Sequence, residues 1–312
     1  MVYPGEKMKL LITGASGFIG TKLKNRLDKK YEVIGQCRDG THNVDDLSLF
    51  AMDIASTSNW HPYLEGVDTI VHLAAIAHRN FTEIELINEV NVEGTVNLAR
   101  QAIENGVRRF VFISSIGVLG NCTDIEPFNE LSNAAAHSPY AISKLKAEIE
   151  LLALSKSSGL ELVIIRPVLV YGSGAPGNFS KLVKLVKLLP FLPFALCKNK
   201  RSFISVDNLV DFISVCIVHP KAKNEIFCIS DGDDLSIKDF TNNIAKGLSK
   251  NIYQLPIPVF ILRLIGRLIG KSTLVEQLVG NLQVDTRKAK SVLGWTPVAT
   301  MSESLAFNNK KK

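Results

Sequence analysis

Short apolar, β-branched runs alternate with segments of helical length through the first half of the chain, and this alternation restricts the fold more than any other feature. KLLIT, EVIGQ, TIVHLAA, RFVFISS and LVIIRP are each a few residues long, and GTKLKNRLDKK, NVEGTVNLARQAIENG and YAISKLKAEIELLALSKSSG stand between them, the last closing at Gly159. Runs that stay apolar, instead of alternating with polar residues, belong to strands buried on both faces. Helical crossovers between such strands give a parallel sheet with helices on either side. The expected class is therefore α/β, a doubly wound parallel sheet.

The pattern changes after Tyr171 and Gly172. SGAPGNF reads as a loop, followed by a short helix in SKLVKLVKLL and the proline-broken LPFLPF. RSFISVDNLVDFISVCI returns to strand and helix, EIFCIS reads as another buried strand, and from Asp231 the chain is mostly helical. The expected division is a Rossmann-type sheet domain over 1–171 and 201–230, with a smaller, mostly helical C-terminal lid over 172–200 and 231–312.

Composition narrows the function classes. At 312 residues the chain can bury a sizeable core. Its formal charge is +6, with Lys310, Lys311 and Lys312 forming a terminal run. There is no basic stripe interleaved with aromatics, so no nucleic-acid partner is expected, while a basic surface suits an anionic small molecule. The five cysteines, Cys37, Cys122, Cys197, Cys216 and Cys228, show no paired spacing, which argues against a disulfide framework or a metal site and fits a cytoplasmic location. The start, MVYPGEKMK, lacks the apolar core of a signal peptide, and Met8 offers an alternative start directly before the first strand. LPIPVFILRLIGRLIG is the most apolar region, but Arg263 and Arg267 interrupt it and it falls short of the ~20 apolar residues a membrane span needs. It reads as a surface or cap helix in preference to a membrane-surface helix, with no stable membrane insertion.

The first strand ends in GASGFIG, with Gly14, Gly17 and Gly20 spaced three apart. In a strand–turn–helix setting Gly14 permits the sharp turn, Gly17 lets the backbone approach a diphosphate, and Gly20 lets the helix pack on the strand. The diphosphate then meets the exposed N–H groups of Phe18, Ile19 and Gly20, where the helix dipole is positive. The second strand ends in Gln36–Cys37–Arg38–Asp39. An acidic residue there would bind the ribose diol of NAD, and an arginine can hold a 2′-phosphate. Cys37 occupies the usual acidic position and Arg38 follows, so NADP(H) is favoured and NAD(H) is retained, with Asp39 the competing acidic group. Asp53 and Ile54 suit an adenine-edge contact, although Asp53 could equally cap a helix before Ser56.

YAISK places Tyr140 and Lys144 one helical turn apart. A neighbouring ammonium lowers a phenol's pKa, so Tyr140 is expected to exchange a proton near neutral pH. Ser114 and Ser115 end a strand at the carboxyl edge of the sheet, where a hydroxyl can bond a substrate carbonyl; ordinary capping is the bland alternative.

Taken together, GASGFIG, HLAA at 72–75, NVEGTVNL at 91–98, SSIGVLG at 114–120, YAISK and RPVLVYG at 166–172 resemble the extended short-chain dehydrogenase/reductase superfamily. Within it the chain is similar to the nucleotide-sugar epimerases and reductases, including the UDP-glucose 4-epimerase-like proteins and the UDP-N-acetylquinovosamine-type 4-ketoreductases, from about Met8 to Pro297. The resemblance implies a Ser115–Tyr140–Lys144 catalytic set supported by Asn91. It brings Leu73, Ala74, Ala75 and Pro167 to the cofactor, and Lys144 to its ribose. It also implies a UDP-sugar substrate whose diphosphate is held by Arg201 and approached by Asn178, and Ser115 beside the sugar. A homodimer is allowed.

The departures from the family pattern narrow the reaction. Sugar-nucleotide 4,6-dehydratases carry an Asp-Glu pair where this chain has Ile116 and Gly117, which disfavours dehydration. The asparagine usual in R-x-x-N-x-x-G is Leu169, and a second diphosphate arginine has no clear counterpart in KSTLVEQLVGN. The leading expectation is reduction of a UDP-4-keto-6-deoxy-hexosamine for surface polysaccharide. The alternative is a UDP-hexose or UDP-N-acetylhexosamine 4-epimerase, and a non-catalytic dinucleotide sensor is disfavoured by the intact Ser-Tyr-Lys set.

Overall fold

A computed structural model describes residues 7–38, 46, 48–77 and 83–307. The first half contains β1 (Lys9–Thr13), α1 (Phe18–Leu27), β2 (Glu32–Cys37), β3 (Leu49–Ala51), α2 (His61–Leu64), β4 (Val67–His72), α3 (Ile84–Asn88) and α4 (Gly94–Glu104). It continues through β5 (Arg109–Ile113), α5 (Pro139–Ser158), β6 (Glu161–Pro167) and β7 (Leu169–Tyr171). Next come α6 (Gly177–Leu188), β8 (Phe191–Leu192), β9 (Arg201–Ser205), α7 (Val206–Val218), β10 (Glu225–Ile229) and β11 (Asp234–Leu235). The last are α8 (Ile237–Gly247), β12 (Tyr253–Gln254), α9 (Val259–Leu268), α10 (Ser272–Val279), α11 (Arg287–Leu293) and α12 (Met301–Ser304).

The central sheet has seven parallel strands in the order β10-β6-β5-β4-β1-β2-β3. The order reverses between β1 and β4, so the carboxyl ends of these two strands form the switch point of the sheet, where ligands of open α/β sheets bind. Burial on both faces follows the strand period of two. Leu10, Ile12, Val111, Ile113, Val163 and Ile165 pack on one face, while Leu11, Ile70, Phe110, Phe112, Leu162 and Ile164 pack on the other. Arg109 is buried at the base of the sheet, bonded to Glu161 (2.7 Å), and its Nη1 donates to the carbonyls of Cys216, Ile217 and His219. It thereby satisfies the otherwise orphaned C-terminal carbonyls of α7.

β10 completes the central sheet. β9 instead pairs in parallel with β7 and antiparallel with β11 in a separate small sheet. Later in the chain, Leu282, Val284, Ala289, Leu293 and Trp295 join the core of the central sheet, with the Trp295 indole donating to Asp211 at 2.8 Å. A third cluster joins Tyr171 and Phe203, from the expected sheet domain, to Phe179 and Phe240, from the expected lid. Tyr171 ties the two regions together by donating to Asp231, which also accepts from the Ser205 backbone and the Asn208 side chain.

Candidate active site

The glycine turn is shaped by close backbone approach. Gly14 has φ +67°, and a side chain there would also lie 3.0 Å from the backbone of Ala74 in the loop after β4. A Cβ on Gly20 would lie 2.2 Å from the Gly14 carbonyl, so only glycine lets α1 start this near β1. Gly17 is the N-cap of α1 and supplies no side-chain cap, which leaves the first-turn N–H groups of Phe18, Ile19 and Gly20 for a ligand. Such a side-chain-free cradle at a helix N-terminus fits a dinucleotide diphosphate. Gln36 fixes the turn from the neighbouring strand: its Oε1 accepts from Gly14 N at 3.0 Å, and its carbonyl accepts from Ala15 N.

At the end of β2 the Cys37 thiol is buried and donates to the Phe50 carbonyl, while Arg38 is exposed. Asp39 lies outside the described residues. Asp53 is exposed just beyond β3, and its carbonyl, not its carboxylate, meets the Ser58 hydroxyl at 2.7 Å. Ile54 is buried in the core. Pro167 ends β6 opposite Ile229 of β10.

Ser115 follows β5, and Tyr140 and Lys144 lie in the first two turns of α5, which packs against the turn after β5. Ser115 is the N-cap of a short 3₁₀ turn, and its Oγ accepts from Gly117 N at 3.1 Å, so the capping alternative is realised while the hydroxyl proton stays available. A Cβ on Gly117 would stand 3.3 Å from Ser115 Oγ and 3.4 Å from the Ala141 methyl, which places this hydroxyl against the first turn of α5. The Oγ of Ser114 is buried and has no hydrogen-bond partner. Ser138 caps α5 through its hydroxyl and Pro139 opens the helix, fixing the half-buried Tyr140 in the first turn.

Lys144, one turn on, is buried with its ammonium 4.3 Å from the centre of the Phe112 ring. Burial lowers its pKa to about 7 despite the Glu148 carboxylate a further turn along, which acts to raise it. Glu148 is held by Arg166 of β6 in a two-point pair at 3.0 and 2.6 Å. The expected lowering of the Tyr140 pKa is corrected here: burial pushes it up to about 12, because the phenol is desolvated and no charge offsets that cost.

A buried hydrogen-bond chain joins the glycine turn to α5. Ala74 N donates to Thr13 Oγ1, which bonds His72 Nδ1 at 2.8 Å, and His72 Nε2 bonds Thr95 Oγ1 at 2.9 Å. Thr95 in turn donates to the Asn91 carbonyl, so His72 carries its proton on Nε2. Burial, and then the Lys144 charge, hold the pKa of His72 well below its usual value, keeping it neutral. Asn91 lies in a π-helical turn, Glu89–Glu93, between α3 and α4. Its side chain clamps both backbone polar groups of Ile76 and donates to Ser143 Oγ at 2.9 Å, and Ser143 bonds the Tyr140 carbonyl. The structure thus gathers Leu73, Ala74 and Ala75 between the glycine turn and Asn91.

His72, Gln36, Glu148 and Arg166 escape the motif reading. A signal existed for three of them: His72 and Arg166 are lone polar residues in apolar strand runs, and Glu148 stands four residues beyond Lys144.

The two residues expected at the diphosphate of the sugar nucleotide converge on one segment of the lid. Asn178 bonds Gln277 at 3.2 Å, and Arg201 Nη1 donates to the Gly280 carbonyl at 3.0 Å. Arg201 meets a carbonyl here, not a carboxylate, and burial lowers its pKa to about 10. Its charge is therefore costly where it lies and favours an anionic partner.

A doubly wound sheet whose first strand leads through a glycine turn into a helix defines a dinucleotide-binding class of protein. The chain belongs to the NAD dependent epimerase/dehydratase family, which it matches over residues 10–230. It is 43% identical over 302 residues to a UDP-glucose 4-epimerase of Vibrio cholerae, covering 94% of this chain and 92% of that one. It is 28% identical over 313 residues to the N-acetyl-alpha-D-glucosaminyl-diphospho-ditrans,octacis-undecaprenol 4-epimerase of Escherichia coli O157:H7, covering 95% and 92% of the two chains. Among solved structures, UDP-glucuronic acid 4-epimerase from Bacillus cereus in complex with NAD shares the fold, with a TM-score of 0.78, 23% identity and 96% of each chain covered. Among the described residues no helix is long and apolar enough to cross a membrane.

Proposed function

We propose that the protein reduces the 4-keto group of a UDP-linked 6-deoxy-hexosamine destined for surface polysaccharide, with NADPH as reductant. The observation that carries this reading is the end of β2: the Cys37 thiol is turned into the core and an exposed arginine follows. A guanidinium there suits a 2′-phosphate, and a reductase must take up reduced cofactor at every turnover. A nicotinamide dinucleotide held at the glycine turn by Gly14, Gly17 and Gly20 would supply the hydride for such a reduction. Tyr140 gives its phenolic proton to the C4 oxygen, leaving an alcohol, and its raised pKa keeps it in the protonated form that reduction requires. The Ser115 hydroxyl donates to the same oxygen, and Lys144 supports Tyr140 and the cofactor ribose. Arg201 and Asn178 hold the substrate diphosphate. Gly117 has no acid to expel a C6 hydroxyl, and Ser115 Oγ and Ala141 leave little room for a larger side chain there.

The second reading is a UDP-hexose or UDP-N-acetylhexosamine 4-epimerase with NAD, favoured by the names of the Vibrio and Escherichia relatives. Cofactor preference separates the two. Arg38→Ala should weaken NADPH binding by about 1.5–3 kcal/mol and leave NADH nearly unchanged in a fluorescence titration. A native preference for NADH, or equal loss of both cofactors, would count against the reductase.

A further inference from the structure

The inner side of α9 packs into the lid core through Val259 and Leu262, and Gly266 lies against Val275 of α10. Its outer side is apolar as well. Phe260, Leu264 and Leu268 repeat every four residues along one stripe and are 68%, 52% and 77% exposed, with Ile269 62% exposed beside them. A surface helix ordinarily turns its charged side to water. This apolar stripe instead faces outward, with Arg267 on its flank and Lys271 at its end, both exposed. A second apolar element adjoins the start of the helix, where the exposed rings of Phe191 and Tyr253 pack at 5.7 Å across the β8–β12 pair.

Charge says what covers this face. The lid segments 172–200 and 249–280 hold nine lysines and arginines and a single carboxylate, Glu276. That carboxylate is already paired with Arg263. Two copies of this face would set like charges against each other, whereas an anionic lipid surface satisfies the apolar stripe and the flanking cations together. We infer that the outer side of α9 rests on an anionic bilayer, with Phe260, Leu264 and Leu268 at the headgroup boundary and Arg267 and Lys271 against lipid phosphates. The helix lies in the interface and does not span it. This revises the reading of LPIPVFILRLIGRLIG as a plain surface or cap helix. The inference is independent of which sugar nucleotide the enzyme turns over.

The test is co-sedimentation of the full chain with vesicles of phosphatidylcholine alone or mixed with phosphatidylglycerol. Binding is expected to the mixed vesicles only and to be released by high salt. Leu264→Glu combined with Leu268→Glu should abolish it, and Arg267→Glu should weaken it on the order of tenfold. These positions are exposed, so the melting temperature and turnover of soluble substrate should match the wild type. No wild-type binding to the anionic vesicles, or undiminished binding by the double variant, would overturn the inference. So would light scattering in which the double variant turned a dimer into a monomer, since a second copy would then be the occupant.

Discussion

Burial works against the charge of Lys144 and in favour of the neutral phenol of Tyr140, and both effects are measurable at single residues. Replacing Tyr140 by Phe keeps the ring and removes the proton, so turnover should fall roughly 10²–10⁴-fold while cofactor affinity stays nearly unchanged, as read by steady-state kinetics beside a binding titration. Lys144 has a pKa of about 7 in the fold against an ordinary value of 10.5. Between these values the unfolded chain binds the extra proton, so this residue makes the fold more stable as pH rises from about 7 towards 10.5 and less stable as pH falls through 7. Urea unfolding of wild type and Lys144→Met at pH values across this window should show the wild type gaining on the variant with rising pH, by an amount on the order of a few kcal/mol. A constant difference would mean that Lys144 stays charged. The placement of Tyr140 and Lys144 one turn apart on a single helix was legible because both lie within five residues of sequence. The chain through His72 and the Arg166–Glu148 pair was not, because their partners are 23 and 18 residues away and only the packing of α4 and α5 on the sheet unites them.

Among elements, the β1–turn–α1 unit is where local sequence and tertiary packing agree most fully. A methyl group on Gly20 would collide with the Gly14 carbonyl and the Ala15 backbone, neither of which can rotate away. Gly20→Ala should therefore cost about 1–3 kcal/mol in denaturant unfolding and, by pushing α1 off β1, weaken dinucleotide binding as well. Wild-type affinity in that variant would show that α1 can shift without disturbing its N-terminus. The strands KLLIT, RFVFI and LVIIRP and the helix closing at Gly159 could be read directly, since unbroken apolar runs and a left-handed C-terminal glycine are local signals. β3, with three residues, carries no periodicity of its own and exists through its pairing with β2. The π-helical turn holding Asn91 was equally hidden, because NVEGTVNL reads as ordinary helix and only the docking against Ile76 and Ser143 explains the extra residue.

At the scale of the whole molecule, the proposed function needs two sites, one for a dinucleotide at the carboxyl ends of β1 and β4 and one for a sugar nucleotide beside Asn178 and Arg201. The lid was legible only in outline. RSFIS reads as strand-like within the expected sheet domain, yet β9 lies outside the central sheet and pairs with β7 and β11, and Leu282, Val284, Leu293 and Trp295, from the expected lid, join the central core. No local pattern specifies such long-range choices, which are settled by the apolar surface each segment finds to cover. The proposed reaction is net reduction at C4. An epimerase retains its nicotinamide through oxidation and re-reduction, whereas a reductase must release spent cofactor and bind fresh NADPH each turn. The direct measurement is NADPH absorbance during incubation with a UDP-4-keto-6-deoxy-hexosamine, beside product analysis of UDP-N-acetylglucosamine incubated with the protein as purified. Stoichiometric NADPH oxidation with the keto sugar and no interconversion of UDP-N-acetylglucosamine with its C4 epimer are expected; rapid epimerisation by protein purified with NAD bound, without NADPH consumption, would overturn the reductase in favour of the epimerase.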